Sequence, residues 1–282
     1  MNSILNDQDY DFIRKLVHAK TAILIDEHKN YLIDSRLMIL KEKKQYKNVE
    51  EIIHKLKYEQ CEKCIREVIN IMTTNETSFF RDKHPFEALK LSIIPAILAK
   101  KQNKSLIIWS GACSTGQEPY SLAILLCEFF PKIVAEFSIK ILATDISTDV
   151  LEHAKKGLFT QNEVNRGLPI QYLLKYFDRQ GQSWQVKEPV RQMIEFRHLS
   201  LNNDWAFIPK MDIIFLRNVL IYFTEQTRFN ILHQIKQKIY PQGYLFLGAG
   251  EMLPRNEVEL QREQIDGTYF YTLNKEINNG HS

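Results

Sequence analysis

A segment rich in hydrogen-bonding side chains, Thr73 to Asp82, reads Thr-Thr-Asn-Glu-Thr-Ser-Phe-Phe-Arg-Asp. Its amide, hydroxyl and guanidinium groups could bind a polar ligand, while the pair of phenylalanines could anchor the loop. Threonine, serine and asparagine are also ordinary turn residues, so the segment could equally be a simple connection. The pattern predicts a loop that closes over a ligand, provided that a binding fold follows it.

A second segment, Ser110 to Ser121, has the composition of a turn between a strand and a helix. Small residues there let a ligand approach the backbone, and the helix N-terminus adds a positive field. The segment contains Gly111 and Gly116 but neither the GxGxxG pattern nor the Gly-Lys-Ser/Thr sequence of nucleoside triphosphatases. Cys113 has no evident histidine to activate it, so we do not expect a cysteine nucleophile.

Two acidic residues lie next to these elements. Asp145 directly follows a predicted strand, where a carboxylate can accept hydrogen bonds from both ribose hydroxyls, although capping the next helix would explain it equally well. Glu118 lies in the first turn of a predicted helix, where the helix dipole alone would favour a carboxylate. Two acids, a turn of small residues and no phosphate motif favour a positively charged nucleoside over a pyrophosphate. S-adenosylmethionine is such a ligand.

Two kinds of structure must position these residues. From Asp7 to about Met72, apolar residues recur at helical spacing without glycine or proline, which predicts a small helical bundle. From about residue 84 onward, buried-strand patterns alternate with helical ones. This alternation predicts a doubly wound α/β domain whose ligand lies at the C-terminal ends of parallel strands. Period-two patterns around a glycine turn, between Asp178 and Phe196, indicate a small antiparallel insert.

Composition restricts the class of protein. Of the 282 residues, 44% are hydrophobic and 25% charged, as in folded globular chains, and the net charge of +3 is too small to indicate nucleic-acid binding. The first residues lack a secretory leader pattern and no apolar run could span a bilayer, so we expect a cytoplasmic protein. Cys61 and Cys64 have CxxC spacing without the second pair of a zinc site, so we predict no metal.

Four motifs follow one another along the chain. They are Asn75-x-Thr77-x-Phe-Phe-Arg81, Ser114-Thr-Gly-x-Glu118-Pro-Tyr-Ser121, Ala143-Thr-Asp145-Ile and Arg217-Asn218-Val-x-Ile-Tyr222-Phe223. Together they resemble the CheR family, the chemotaxis receptor methyltransferases of bacteria, from about residue 8 to residue 273. The resemblance implies a helical N-terminal domain at 1–73, a linker at 74–83, and a Rossmann-like class I methyltransferase domain at 84–282. It also implies a small β-subdomain inserted at about 178–197.

The resemblance further implies an activity and a set of binding residues. The expected reaction moves a methyl group from S-adenosylmethionine to glutamate side chains on the cytoplasmic helices of chemoreceptors, for chemotactic adaptation, and leaves S-adenosylhomocysteine. The expected cofactor contacts are Asn75, Thr77 and Arg81 in the linker, Glu118 and Asp145 at the methionine and ribose portions, the pair Ser200 and Leu201, and Asn218 with Val219 on the fourth-strand side of the pocket. The family more often has asparagine where Ser200 stands, so the shorter serine would leave an adenine contact to water.

The chemistry of methyl transfer limits what the protein must supply. A glutamate at neutral pH is already an anion, so the reaction needs no general base and depends on positioning and on the exclusion of water. We expect Arg81 and Tyr222 to hold the incoming carboxylate. The alternatives are an Arg81 paired with Asp82 at the surface and a Tyr222 buried in an aromatic cluster with Phe223.

A basic stripe on one predicted helix could bind the protein substrate. Lys29, Arg36 and Lys43 are spaced seven residues apart, and acidic receptor helices could dock there, although a solvated helix face explains the same spacing. Two other functions compete with this one: methylation of a different acceptor, and non-catalytic sensing of S-adenosylmethionine. We expect no nucleic-acid partner, no insertion into the membrane and a monomeric protein. The sequence leaves open whether the insert tethers a receptor peptide.

Overall fold

The computed structural model describes residues 5–254 and 257–274, and the first part of the chain is helical. Its helices are α1 (Asp7–Thr21), a short 3-10 helix (Glu27–Lys29), α2 (Asn30–Lys44), α3 (Val49–Lys57) and α4 (Glu62–Met72). Asn6 and Asn48 cap α1 and α3 by accepting hydrogen bonds from backbone N–H groups of the first turn. The apolar faces of the four helices form one core, which includes Ile13, Val17, Ile33, Leu37, Ile52 and Val68. The predicted helical bundle is confirmed.

The rest of the described chain alternates helices and strands. The helices are α5 (His84–Ala88), a π-helical turn (Leu89–Ile93), α6 (Ile94–Lys100), α7 (Gln117–Phe129), α8 (Pro131–Glu136), α9 (Thr148–Lys156), α10 (Gln161–Asn165), α11 (Ile170–Tyr176), α12 (Glu188–Arg191), a 3-10 helix (Leu220–Tyr222) and α13 (Glu225–Lys238). The strands are β1 (Ser105–Gly111), β2 (Ser138–Asp145), β3 (Leu158–Thr160), β4 (Phe177–Gln180), β5 (Ser183–Val186), β6 (Ile194–His198), β7 (Met211–Phe215), β8 (Ile239–Phe246), β9 (Leu260–Ile265) and β10 (Thr268–Leu273).

Seven of these strands form the main sheet, in the order β6-β2-β1-β7-β8-β10-β9. The first five are parallel neighbours, whereas β10 runs antiparallel to β8 and β9 antiparallel to β10. Alternate residues at the end of β7 enter different cores: Ile213 and Phe215 pack on one side of the sheet, Ile214 and Leu216 on the other. Both faces are therefore covered, and the predicted Rossmann-like fold is confirmed.

The antiparallel insert differs from its predicted extent of about 178–197. The small sheet has the order β3-β5-β4, so it begins at Leu158 and ends at Val186. Residues Ile194–His198 instead form β6, which pairs in parallel with β2 at the edge of the main sheet. An edge strand and a hairpin strand share the same period-two alternation, which explains the misassignment.

The helical part is attached to the α/β part by hydrogen bonds at separate points. Asn70 on α4 donates its side-chain N–H to Thr148 Oγ1 (3.1 Å) and Asp149 Oδ1 (2.8 Å) at the start of α9. After α1, Ile23 forms an antiparallel bridge with Phe223, which places the end of that helix beside the segment that follows β7. None of the helices described has the length and apolar character needed to cross a membrane. The division into domains at 1–73, 74–83 and 84–282 stays a prediction.

Candidate functional site

The C-terminal ends of β1, β2 and β7 meet at an open cleft, which also receives the linker and the end of α1. The cleft encloses about 880 Å³ of empty space, including the part open to solvent at its mouth. The predicted site residues that line it are Asn75, Thr77, Arg81, Glu118, Asp145, Leu201, Asn218, Val219 and Tyr222. The fold thus brings together all the predicted residues except Ser200.

Asp145 is a buried carboxylate held at the end of β2. Its Oδ2 accepts a hydrogen bond from the backbone N–H of Ser114, and its Oδ1 from that of Ser147, both at 2.9 Å. Burial raises the pKa of Asp145, and the backbone donors oppose that rise. The cap of α9 is the Ser147 side chain rather than Asp145, so capping does not explain this aspartate. Two backbone bonds fix the carboxylate while its position on the cleft keeps it available to a ligand.

Glu118 is held by partners from two strands as well as by its own helix. Its Oε1 accepts a hydrogen bond from the Ser110 hydroxyl (2.8 Å), and its Oε2 forms an ion pair with Arg217 Nη1 (3.0 Å). Ser110 lies on β1 and Arg217 follows β7, so the carboxylate joins the ends of two adjacent strands. The helix dipole alone therefore does not account for Glu118.

Arg217 belongs to the fourth motif and is a central residue of the site, although the sequence predicts no binding role for it. Its side chain is 1% exposed and pairs with both Glu118 and Asp82, the latter at 2.5 Å. Its Nη2 also donates to the backbone carbonyl of Arg81 (3.0 Å). The buried Nε has no partner among the described residues. Arg217 also lines the cleft, and a buried N–H without a partner is suited to an anionic ligand group, such as an amino-acid carboxylate.

The linker crosses the cleft between fixed points. Phe79 is fully buried against Phe159 and Phe177, and the backbone N–H of Phe80 donates to Ser121 Oγ (2.9 Å). The phenylalanine pair therefore anchors the loop, as its composition predicted. Between the anchor and α4, the Asn75 carbonyl accepts a hydrogen bond from the Ser114 hydroxyl (2.9 Å).

Arg81 is half-buried and contacts its own loop. Its Nη1 donates to the backbone carbonyl of Glu76 (3.1 Å). The surface pair that was the alternative for Arg81 is not formed, because Asp82 binds Arg217 instead. Among the described residues no carboxylate forms an ion pair with Arg81, so its charge is available to a ligand.

The segment after β7 provides the opposite side of the cleft. Asn218 and Val219 follow β7, the fourth strand of the main sheet in chain order, and Asn218 has a left-handed backbone with a φ of 58°. Tyr222 ends the 3-10 helix and is half-buried at the cleft, whereas its neighbour Phe223 belongs to the core. Burial of Tyr222 in an aromatic cluster is therefore not what the fold shows.

Ser200 does not line the cleft, although Leu199 and Leu201 on either side of it do. Its side chain is buried, and its Oγ has no hydrogen-bond partner among the described residues. Ser200 borders a neighbouring groove that shares only Ile146 with the cleft. The adenine contact suggested for Ser200 is not supported by this placement.

Other residues of the cleft were not predicted. They are Thr21, Ile23, Thr73, Thr74, Glu76, Ala112, Cys113, Ser114, Ile146, Leu199, Arg217 and Phe223. Cys113 is fully buried, and burial raises the pKa of its thiol, which agrees with the absence of a cysteine nucleophile in the prediction. Ser114 and Arg217 lie within the four sequence motifs. Thr21 and Ile23 lie in no motif, so no local pattern indicates that they line the cleft.

The basic stripe on α2 requires a correction at its middle residue. Arg36 is half-buried and donates hydrogen bonds to the Met72 carbonyl and to Thr74 Oγ1 (2.9 Å), so it holds the start of the linker. Burial lowers the pKa of Arg36. Lys29 and Lys43 are exposed, although Lys29 lies in the 3-10 helix before α2 rather than on α2 itself. A continuous stripe of three free cations is therefore not present.

Comparison with known proteins finds the same family in both parts of the chain. The model of the CheR methyltransferase SAM-binding domain matches residues 75–269, and that of the CheR methyltransferase all-alpha domain matches residues 8–73. "Chemotaxis protein methyltransferase Cher2" of Pseudomonas putida is 39% identical over 248 residues, which covers 87% of this chain and 90% of the relative. "Chemotaxis protein methyltransferase" of Borreliella burgdorferi is 34% identical over 262 residues, or 91% of this chain and 92% of the relative.

Proposed function

This chain belongs to the CheR methyltransferase family, and we propose that it methylates glutamate side chains of bacterial chemoreceptors, forming glutamyl methyl esters. Its cofactor is S-adenosylmethionine, which the matched domain binds. The observation that carries the proposal is the cleft itself, which is lined by two fixed carboxylates, by Tyr222 and by Arg81, whose guanidinium donates only to a carbonyl of its own loop among the described residues. Such a cleft can bind a nucleoside on one side and an anionic substrate on the other.

The residues of the cleft fit S-adenosylmethionine. We assign the ribose hydroxyls to Asp145, whose two oxygens are already oriented by backbone N–H groups. The methionine portion is assigned to Glu118 for its ammonium group and to the unpartnered Nε of Arg217 for its carboxylate. Asn75, Thr77, Leu201, Asn218 and Val219 complete the lining.

S-adenosylmethionine supplies an electrophilic methyl group on a sulfonium. Arg81 and Tyr222 hold the glutamate carboxylate that receives it, the first by a charge-assisted hydrogen bond and the second by its phenolic O–H. Neither residue removes a proton, because the carboxylate is already ionised at neutral pH. The linker and the Ile23–Phe223 bridge line the cleft, and catalysis rests on orientation and on the exclusion of water by the bound substrate.

The proposed partner is a cytoplasmic helix of a chemoreceptor, and we therefore place the reaction in the cytoplasm. Lys29 and Lys43 are exposed cations that can attract acidic residues on such a helix. Arg36 lies between them but is engaged with the linker, so it contributes to docking only indirectly. A monomer is sufficient for this arrangement, because every proposed site residue comes from one chain.

The test is the incubation of the protein with labelled S-adenosylmethionine and membranes that contain chemoreceptors, followed by mild base. A glutamyl methyl ester releases labelled methanol, whereas methyl groups on nitrogen stay on the protein. Base-labile label on the receptor supports the proposal. Cofactor binding without any label indicates a sensor, and a base-stable label indicates another acceptor; either result contradicts it.

A further inference from the structure

A buried carboxylate, Glu251, connects two loops beneath the proposed site. Glu251 is 7% exposed, and its Oε2 accepts hydrogen bonds from the backbone N–H groups of Asn218 and Gly248, both at 2.7 Å. Its Oε1 accepts a third, longer one from the N–H of Ile221 (3.3 Å). The carboxylate therefore joins the segment after β7 to the segment after β8.

The surroundings show what this carboxylate does. None of the described lysine, arginine or histidine side chains pairs with Glu251, so its charge is satisfied by backbone N–H groups. The N–H groups of Asn218 and Ile221 both belong to the short segment that carries Tyr222. The backbone of Asn218 has the left-handed conformation. A charge-assisted bond to that N–H stabilises a conformation that a non-glycine residue seldom adopts.

Packing at Gly248 restricts the same junction. A Cβ added there would lie 2.6 Å from Asn218 Nδ2 and 2.8 Å from both the Asn218 nitrogen and Glu251 Oε2. Any side chain at this position would push the Asn218 segment away from the carboxylate. Glycine at position 248 and glutamate at position 251 thus act together on one short loop.

We propose that Glu251 is a positioning residue for methyl transfer, which holds the Asn218–Tyr222 segment so that the Tyr222 hydroxyl faces the substrate carboxylate. This inference rests on the proposed function, because it needs Tyr222 to contact the substrate. Glu251 lies outside the lining of the cleft and acts through the backbone of the segment. Its loss should therefore disturb the geometry of the reaction more than the binding of either substrate.

Glutamine is the informative substitution at this position. Glu251→Gln keeps the shape of the side chain, but one of its two oxygens becomes an NH₂ group, which cannot accept a hydrogen bond. In either orientation the NH₂ group faces at least one backbone N–H, at Ile221 or at Asn218 and Gly248. The segment must shift to relieve that contact, and small misplacements of positioning groups cost up to about 100-fold in rate.

The experiment measures receptor methylation by wild type, Glu251→Gln and the control Glu257→Gln. Glu257 also has a largely buried side chain, 3% exposed, but it pairs with Lys236 and accepts no hydrogen bond from Asn218, Gly248 or Ile221. We expect Glu251→Gln to lower kcat roughly 10- to 100-fold while both KM values and the dissociation constant of S-adenosylhomocysteine change less than about threefold. Melting temperatures of the two variants should fall equally, and kcat of Glu257→Gln should match wild type.

A second variant tests the same junction from the other side. Gly248→Ala keeps the carboxylate but displaces Asn218, so it should reproduce the loss in kcat, measured at saturating S-adenosylmethionine because Asn218 also lines the cofactor side of the cleft. Wild-type kcat in a folded Glu251→Gln protein would overturn the inference, as would a fall in kcat that only follows lost stability or lost affinity. If the wild-type protein gives no base-labile receptor methylation, the proposed function itself fails. If the wild-type protein is active and Glu251→Gln is equally active, only the inference about Glu251 fails.

Discussion

The cleft has two walls that are built differently. The sheet wall is largely buried and consists of Glu118, Asp145 and Arg217. Its side chains are fixed by groups from other elements, including the Ser110 hydroxyl and the Ser114 and Ser147 N–H groups. The linker wall is half-buried and consists of Asn75, Thr77 and Arg81. Among the described residues, the side chain of Asn75 donates to Thr73 Oγ1, just after α4, and that of Arg81 donates to the Glu76 carbonyl, so both bonds are local.

The difference indicates a division of labour. A ligand that enters the sheet wall finds carboxylates already oriented, so little reorganisation accompanies cofactor binding. The linker wall has fewer fixed partners, and its final geometry depends on what it covers. Arg217 is the physical connection between the walls, because it pairs with Glu118 on one side and binds Asp82 and the Arg81 carbonyl on the other. We therefore expect substitutions in the linker wall to affect turnover and those in the sheet wall to affect cofactor affinity.

The largest expected effect is on turnover in Arg81→Ala. Removal of the free guanidinium takes away the cation that holds the substrate carboxylate, and we expect kcat to fall on the order of 100-fold or more. Arg81→Lys should recover only part of it, since an ammonium does not match a carboxylate with two parallel donors. Initial rates of base-labile receptor methylation at saturating cofactor give the result. Near-normal methyl transfer by a folded Arg81→Ala protein would show that Arg81 does not hold the substrate. The control is Arg262→Ala, at an exposed arginine on β9.

The second effect is on cofactor affinity in Asp145→Asn. An amide in place of the carboxylate loses charge-assisted hydrogen bonds, and the dissociation constant of S-adenosylhomocysteine should rise roughly 10- to 100-fold. Since burial raises the pKa of Asp145, binding to wild type should weaken as the pH falls through that raised pKa, and the variant should lack this dependence. Calorimetric titrations at several pH values measure both. Asp149→Asn is the control, because Asp149 holds Asn70 outside the cleft; equal losses in the two variants would contradict a ribose contact.

The two carboxylates of the sheet wall could be predicted from local sequence patterns, whereas Arg217 between them could not. Asp145 and Glu118 adjoin elements with strong periodic patterns, and parallel strands bring their C-terminal ends together in any such fold. Ile23 has no such signal, because its bridge to Phe223 spans about two hundred residues of chain and depends on how the helical part docks. Ser200 fails for a local reason: it begins a turn after β6, in which its carbonyl accepts a hydrogen bond from the N–H of Asn203, and its neighbours Leu199 and Leu201 line the cleft instead.

The third effect is on the connection between the walls, in Asp82→Asn. Asp82 is 40% exposed and Glu118 13%, so solvent screens the pair that Asp82 forms with Arg217 more than the pair that Glu118 forms. We expect Asp82→Asn to cost at most about 1 kcal/mol of stability and to raise the KM for S-adenosylmethionine less than about fivefold. Thermal denaturation and steady-state kinetics measure this. Glu118→Gln should be more damaging in both assays, and the reverse order would show that the linker wall, not the sheet wall, fixes Arg217.

The smallest effect separates two roles for Arg36. Its hydrogen bonds to Met72 and Thr74 hold the first residues of the linker from the helical part, so Arg36→Ala should loosen the linker wall from its N-terminal side. Because these bonds are half-exposed, we expect kcat to fall only about threefold. Lys43→Ala removes an exposed cation of the same helix that holds no part of the linker, and it should raise the KM for the receptor alone. If Arg36→Ala instead changes only the KM for the receptor, Arg36 is a docking residue after all, and the linker wall depends on its phenylalanine anchor rather than on α2.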